Sequence, residues 1–408
     1  MTVHRPSARD SITAHPRRRA AIAAAITIGP AVCWLALRGL DSTNLGPVAT
    51  LWLGVLAGLG FATTGHRPLL FASSLLLCLG LVESGALAYE ATLKPPTKKY
   101  SYMGNPAVGW FAEHRLVGYA FRGPVTLKAA ATIGHEVLYA SVIYQIDKFA
   151  RRPCSRVCGA SRHALFFGGS FAFGEGLSNS QTLSCRFQEA SEHEFECYNY
   201  AMMGWGPGQA YMQLGVDLLF SDIQQDSGIA VFSFVGDHIY RTTWKIDAAY
   251  AFPEYPFFSL TEEGDLDGPF KTRERWRLRL ARSLFGFMKN ASPAFRTLVQ
   301  PSWFRIESDE DAVITTAKVL GAAREVYRSR FEGEFVVLLW PRSGLSPALE
   351  DLFVDELTRL EVPVARVPAL PGDPKAALLH PKDGHPSSLE IDWIAQSLLG
   401  NVHSMRYR

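Results

Sequence analysis

The segment Ala164–Leu177, ALFFGGSFAFGEGL, constrains the chain most. Its first four residues form an uninterrupted apolar run, as in strands buried on both faces of a parallel sheet. The run ends at Gly168-Gly169-Ser170, and a polar, helix-permissive stretch opens at Ser178. Glycines permit a sharp turn and leave the following side chain uncovered. Ser170 therefore falls at the carboxyl end of a buried strand, where open α/β sheets present their ligands. It is the candidate nucleophile. A serine bonding its own backbone in a strand-to-loop turn is the alternative. The pattern G-x-S-x-G is not met, because Ala172 stands at its second glycine.

A strand–helix rhythm follows. Helices are expected over Thr182–Ala190, Gln209–Gln224 (apolar face Met212, Val216, Leu219), Ser308–Phe331, Pro347–Leu360 and Ser387–Leu399. Strands are expected over Phe195–Tyr200, Ile229–Val235, Phe335–Trp340 and Val362–Val367. Such alternation predicts an α/β fold with a parallel sheet covered on both faces. Ahead of it, residues 100–150 read as a small β-rich subdomain, with strands at Gly118–Phe121, Val125–Leu127 and Val137–Ile146. Residues 151–402 form the main domain. Within Tyr240–Pro301 a basic helix, Arg273–Lys289, reads as a solvated charged face, a lid, or a seat near anionic lipid.

The first hundred residues read as a membrane region. Residues 1–19 are polar and basic, and apolar stretches follow at 20–37, 46–64 and 68–89. A span needs about 20 apolar residues, which gives a transmembrane region over 20–93. Glu83, in the third stretch, belongs near an interface or marks a polar site within a bundle. Arginines before the first span place the amino terminus in the cytoplasm. Three crossings then put everything beyond the Pro95-Pro96 linker (94–99) outside it, and two would keep it inside. Four cysteines, Cys154, Cys158, Cys185 and Cys197, fall beyond the linker. They suit disulfides in an oxidising compartment, Cys154–Cys158 and Cys185–Cys197 being the simplest pairing, although spacing leaves connectivity open. Unpaired buried cysteines are the other reading. The net charge of +2, without a basic-aromatic stripe, argues against a nucleic-acid surface. No cluster has metal-ligand spacing, so neither metal nor cofactor is expected.

Parallel strands deliver their carboxyl ends to one sheet edge. Those ends carry Ser170, then Gly204 after Asn199-Tyr-Ala-Met-Met, then Gly236-Asp237-His238; Asp383-Gly384-His385-Pro386 comes near the carboxyl terminus. Acyl transfer needs a nucleophile, a base, a carboxylate orienting the base, and oxyanion donors. Ser170, His385 and Asp383 fit the first three roles, and the amides of Ser170 and Gly204 the last.

These blocks resemble the SGNH hydrolases, the GDSL esterase and lipase family, in a membrane-anchored bacterial form. FFGGSFAFGEGL is similar to the first block, NYAMMGWGPG to the second with Gly204 at its oxyanion position, FVGDHIYR to the third, and DGHP to the fifth. The resemblance covers roughly Val137 to Leu399 and implies a flavodoxin-like three-layer α/β/α sandwich. Three departures stand out. Gly169 replaces the aspartate of G-D-S. The acid precedes His385 by two residues rather than three, where Lys382 sits. Asp237 stands where the third block has an oxyanion asparagine, and an ionised carboxylate only accepts hydrogen bonds. Either Asp237 is protonated in a shielded site, or His238 or Asn199 replaces it as donor, or the chemistry is lost. Asn199, His238, Trp205 and Arg241 are candidate substrate-binding residues, with Trp205, Trp244 and Tyr240 as a possible sugar platform.

The resemblance implies an extracytoplasmic serine esterase in a multi-pass membrane protein. Its expected substrate is an acylated carbohydrate of the cell envelope, acetyl being the expected acyl group, or another small ester; its surroundings include the lipid bilayer. An O-acyltransferase using the same site, or a non-catalytic glycan-binding envelope protein, are the alternatives.

Overall fold

The computed structural model describes residues 67–93, 96–103, 111–154 and 158–405. A long helix, α1 (Arg67–Thr92), comes first. Five strands follow: β1 (Lys98–Met103), β2 (Phe111–His114), β3 (Gly118–Phe121), β4 (Val125–Ile133) and β5 (Glu136–Ile146). Then come β6 (Arg162–Gly168), α2 (Ser170–Phe173), α3 (Leu183–Ala190), β7 (Phe195–Asn199), α4 (Pro207–Leu214), β8 (Ser227–Phe234), α5 (Ile239–Thr242) and α6 (Ile246–Ala251). A short hairpin, β9 (Phe257–Leu260) and β10 (Leu266–Phe270), precedes α7 (Trp276–Ala291) and α8 (Pro293–Leu298). The chain ends with α9 (Asp309–Arg328), β11 (Glu332–Leu339), α10 (Pro347–Arg359), β12 (Val364–Arg366), the hairpin β13 (Leu378–His380) and β14 (Asp383–Pro386), and α11 (Ser388–Met405).

Two compact units emerge, one of Met1–Pro95 with Ser283–Trp303, the other of Pro96–Arg282 with Phe304–Arg408. The larger unit is built on a five-stranded sheet, β12-β11-β8-β6-β7, parallel throughout. Read from β7, the sequence order is 2-1-3-4-5, that of flavodoxin-like sheets, and it reverses between β6 and β8. Alternate residues of each strand enter two separate cores. Leu165, Phe167, Phe232, Phe234 and Val337 pack with Leu214, Leu320 and Phe353 of α4, α9 and α10. Ala164, Phe166, Val231 and Leu338 pack with Phe187, Ile391 and Leu398 of α3 and α11. Both faces are dry, which is why the strands read as continuous apolar runs. The Ser308 hydroxyl caps α9 by accepting from the Asp311 amide, and three acidic residues open its first turn.

Several expectations are revised. The helix read over Gln209–Gln224 ends at Leu214, capped by Gly215, and Asp217–Phe220 forms a separate 3₁₀ turn. The β-rich segment begins at Lys98, inside the stretch read as a linker. It belongs to the same compact unit as the parallel sheet. It comprises an antiparallel sheet, β1-β4-β5, and the hairpin β2-β3. The disulfide joins Cys154 to Cys185, while Cys158 and Cys197 are free, so neither pairing read from spacing forms. Cys197 lies on β7 with its side chain in the core that α3 also lines, while Cys185 is taken by Cys154; both free thiols approach the Phe195 carbonyl instead.

In the smaller unit, α1 contains a stretch, Phe71–Glu90, with mean hydropathy 1.7, the one described helix long and apolar enough to cross a membrane. Residues 1–19 and the spans read at 20–37 and 46–64 lie outside the described residues. Glu83 is a polar link within this unit. Its carboxylate accepts from the Ser292 hydroxyl and from the Ala294 amide at 2.9 Å, at the start of α8. About two turns further on, Glu90 pairs with Arg296 at 2.9 Å.

Candidate active site

The sheet order reverses at the carboxyl end of β6, and Ser170 lies just beyond it, opening α2. Its carbonyl accepts from the amides of Gly174 (2.9 Å) and Glu175 (3.0 Å), which folds the following residues back toward Ser170. That return loop is locked from below by Arg152, fully buried, whose guanidinium donates to the carbonyls of Phe173 (2.8 Å), Gly174 (2.7 Å) and Leu177 (2.7 Å). Tyr144 accepts the Gly176 amide at 2.8 Å.

Ser170 and His385 line one cleft of about 690 Å³, together with Asp237, Tyr240, Arg241 and Arg342 among others. The His385 ring packs against Phe171, centroids 5.5 Å apart. Asp383 Oδ1 lies 2.6 Å from His385 Nδ1. Asp383 and His385 both lie on β14, and side chains two residues apart in a strand share a face. The two-residue spacing therefore brings acid and imidazole together because this segment is a strand.

Two residues that the sequence did not single out complete the cluster. Lys98 Nζ, from β1, lies 2.7 Å from Glu175 Oε1 and 2.9 Å from Asp383 Oδ2. Glu175 Oε2 is 3.4 Å from His385 Nε2, and Lys98 Nζ is 3.4 Å from His385 Nδ1. Burial works against the Asp383 charge, but the hydrogen bond and charge of His385, then those of Lys98, hold its carboxyl well below the usual range. Burial likewise works against the Lys98 ammonium, and Glu175 and Asp383 outweigh it, so the amine stays charged. Ligand atoms of Glu175, Asp383 and His385 lie within 4.8 Å of one another. Lys98 already supplies a cation to both carboxylates of that group. A glutamate between two glycines five residues after the serine was a faint signal for Glu175; nothing in the sequence distinguished Lys98 from a linker lysine.

The loop that carries Gly204, the expected oxyanion glycine, has a tightly packed backbone. Gly204 has φ +78°, and a Cβ there would come 2.3 Å from the Tyr119 hydroxyl. That hydroxyl donates to the Met203 carbonyl at 2.6 Å, and Tyr255 donates to the Gly204 carbonyl at 3.1 Å. The amides of Ser170 and Gly204 donate to no protein acceptor among the described residues.

Asp237 is not shielded: its side chain is 73% exposed and pairs with Arg241 at 3.2 Å. The reading of a protonated, enclosed Asp237 is therefore set aside. Arg241 also donates to the Trp205 carbonyl at 3.1 Å. A Cβ at Gly169 would come 2.7 Å from Arg241 Nη1, 2.9 Å from His238 Nε2 and 3.1 Å from the Trp205 carbonyl. The site has therefore no room for the aspartate of G-D-S.

Four proposed binding residues are structural instead. Asn199 is buried, its amide donating to the Ala172 carbonyl (2.9 Å) and its oxygen accepting from the Ala201 amide (3.1 Å), so it ties α2 to the end of β7. His238 is fully buried and its Nδ1 accepts from the Val235 amide at 3.2 Å, which leaves the proton on Nε2. Burial, then the charge of Arg241, holds that ring neutral. Trp205 donates to the Tyr119 carbonyl (3.1 Å) and Trp244 to the Thr272 hydroxyl (3.2 Å), both within the core. Of the aromatic residues considered, Tyr240 reaches the cleft.

No known family model and no curated protein matches this chain. Among solved structures it is similar to a member of the lipolytic protein G-D-S-L family from Veillonella parvula, with TM-score 0.33, 10% identity, and coverage of 59% of this chain and 97% of that one. It is also similar to a putative lipolytic protein of the G-D-S-L family from Desulfitobacterium hafniense, with TM-score 0.31, 11% identity, and coverage of 59% and 98%.

Proposed function

We propose that this protein is a serine esterase of the SGNH type, held at a membrane with its catalytic unit on the extracytoplasmic side. The observation that carries the reading is the single cleft lined by Ser170 and His385 at the sheet's switch point, with Asp383 2.6 Å from the far imidazole nitrogen. In this reading His385 Nε2 takes the Ser170 proton as Oγ attacks the ester carbonyl. The amides of Ser170 and Gly204 receive the developing oxyanion, and Asp383 stabilises the imidazolium. Collapse expels the alcohol, protonated by His385, and water hydrolyses the acyl-enzyme by the same route in reverse. An open cleft with Tyr240, Arg241 and Arg342 on its walls suits an acylated envelope carbohydrate with a small acyl group such as acetyl. If a sugar hydroxyl replaces water, the same intermediate gives O-acyl transfer.

The Cys154–Cys185 disulfide favours an oxidising compartment. The apolar helix α1 favours a membrane anchor. α7 adds to this: of the three readings of its basic segment, a seat near anionic lipid is favoured by Trp276, Leu280, Leu284 and Phe287, which are exposed along one side, alongside Arg277 and Arg279. Such a face suits the boundary of an anionic bilayer.

The test is a fluorophosphonate probe on the full chain in detergent, with the adduct located by mass spectrometry. Labelling at Ser170, lost in Ser170→Ala and reduced at least about 100-fold in His385→Ala, is expected. A well-folded protein that takes no label would leave glycan binding as the function.

A further inference from the structure

The cluster around His385 holds more charge than a serine triad requires. Two carboxylates face the imidazole, Asp383 at Nδ1 and Glu175 at Nε2, both side chains less than 5% exposed. Lys98 Nζ contacts both acids. We propose that Lys98 and Glu175 are positioning residues of this site, and that the Lys98 ammonium cancels one of the two carboxylates so that His385 rests able to take up the Ser170 proton at neutral pH. This rests on the esterase reading.

The argument is one of charge count and placement. With a neutral imidazole, Lys98, Glu175 and Asp383 sum to −1; without Lys98 they sum to −2, in a pocket largely closed to water. A more negative surround favours the imidazolium. A histidine already protonated cannot accept from serine. Glu175 answers the opposite need. Once the proton has moved, its Oε2 lies on the Nε2 side and favours the charged ring, as Asp383 does on the other. The other charged groups on the cleft, Arg241, Arg342, Asp237 and Asp309, line its more open wall. Tyr100 and Tyr139, whose rings lie 5.0 and 5.8 Å from Lys98 Nζ, contribute no charge at neutral pH; burial first, then the Glu175 charge, pushes Tyr100 up to about 12.

The placement is built. Glu175 sits on the return loop whose backbone is locked by Arg152 and Tyr144, and its carboxylate is held by Lys98. Lys98 is fixed by the register of β1 on β4, where it pairs with Ile133.

The experiment uses the full chain in detergent with four variants: Lys98→Met, Lys98→Arg, Glu175→Gln, and Lys98→Met with Glu175→Gln. Two quantities are read against pH, the rate of fluorophosphonate labelling at Ser170 and the titration of the His385 ring by NMR of ¹³Cε1-labelled histidine, assigned with His385→Gln. Lys98→Met should move both midpoints up by about 1–2 pH units, the size expected for unit charges at these separations with partial screening. Glu175→Gln should move them down, the double variant should return near wild type, and Lys98→Arg should hold the wild-type value. Midpoints unchanged within about 0.3 units in Lys98→Met and Glu175→Gln, with only the amplitude reduced, would overturn the proposal. If the wild type takes no label while the ring titrations shift as stated, the esterase reading fails and the charge relation stands. Labelling with unchanged ring titrations is the converse.

Discussion

Cleavage of the Cys154–Cys185 bond gives the sharpest test of the fold around the nucleophile. The two cysteines are 31 residues apart, and the loop they close contains β6, Ser170 and Glu175. Closing a loop of that length removes disorder from the unfolded chain worth about 4 kcal/mol in the chain-entropy account. For a unit of this size that corresponds to a loss on the order of 10 °C in melting temperature when the bond is absent. Thermal unfolding of the full chain, followed by near-ultraviolet circular dichroism, should fall by this amount in Cys154→Ser with Cys185→Ser. Reductant should lower the wild type equally and leave the double variant unmoved. A non-reduced peptide map with free thiols alkylated first should recover the Cys154 and Cys185 peptides joined. A double variant melting within about 2 °C of wild type would refute the entropic reasoning. A map joining Cys154 to Cys158 would refute the connectivity.

Two further outcomes are expected. His163 is fully buried between the Gln225 carbonyl (3.0 Å) and the Tyr327 hydroxyl (2.8 Å), and burial pulls its ring down to about 4. Below about pH 6.5 the unfolded chain binds a proton that the folded chain refuses, so stability should fall by about 3 kcal/mol between pH 6.5 and 4; denaturant unfolding that is flat across this window, or a slope unchanged in His163→Gln, would contradict it. Arg241→Met should lower esterase turnover about 10- to 100-fold by leaving the Asp237 carboxylate unpaired beside the oxyanion donors, and adding Asp237→Asn should recover most of the loss; a double variant no faster than Arg241→Met would show that the arginine acts some other way.

The parts legible in the sequence are those whose identity and neighbours say the same thing. β6, β8 and β11 carry the apolar runs 164–167, 229–232 and 335–339 because both their faces are buried there, and that pattern admits few other structures. Ser170 was visible because glycines precede it at a strand end. Asn199, His238 and Trp205 have residue types suited to binding, but composition does not reveal which way a side chain faces, and here each is consumed by a backbone partner. Gly169 reads only as a departure from the G-D-S pattern. Its reason is the space taken by Arg241 and His238, which are distant in sequence. The cysteine pairing failed similarly, since nearness along the chain says little once α3 carries Cys185 back against the segment holding Cys154.

Lys98 and Asp383, bonded at 2.9 Å, are 285 residues apart in the chain. During synthesis at about 5–20 residues per second, roughly 15 to 60 s separate the emergence of the two. For about 10 to 40 s of it, the stretch from Glu175 to Asp383, Ser170 and Glu175 are already made while Asp383 and His385 are not. The last hairpin to be translated, β13–β14, supplies both missing groups together. The cluster thus becomes complete only when nearly the whole unit exists, and a ribosome that stalls before Asp383 releases a fragment that holds Ser170 without Asp383 or His385.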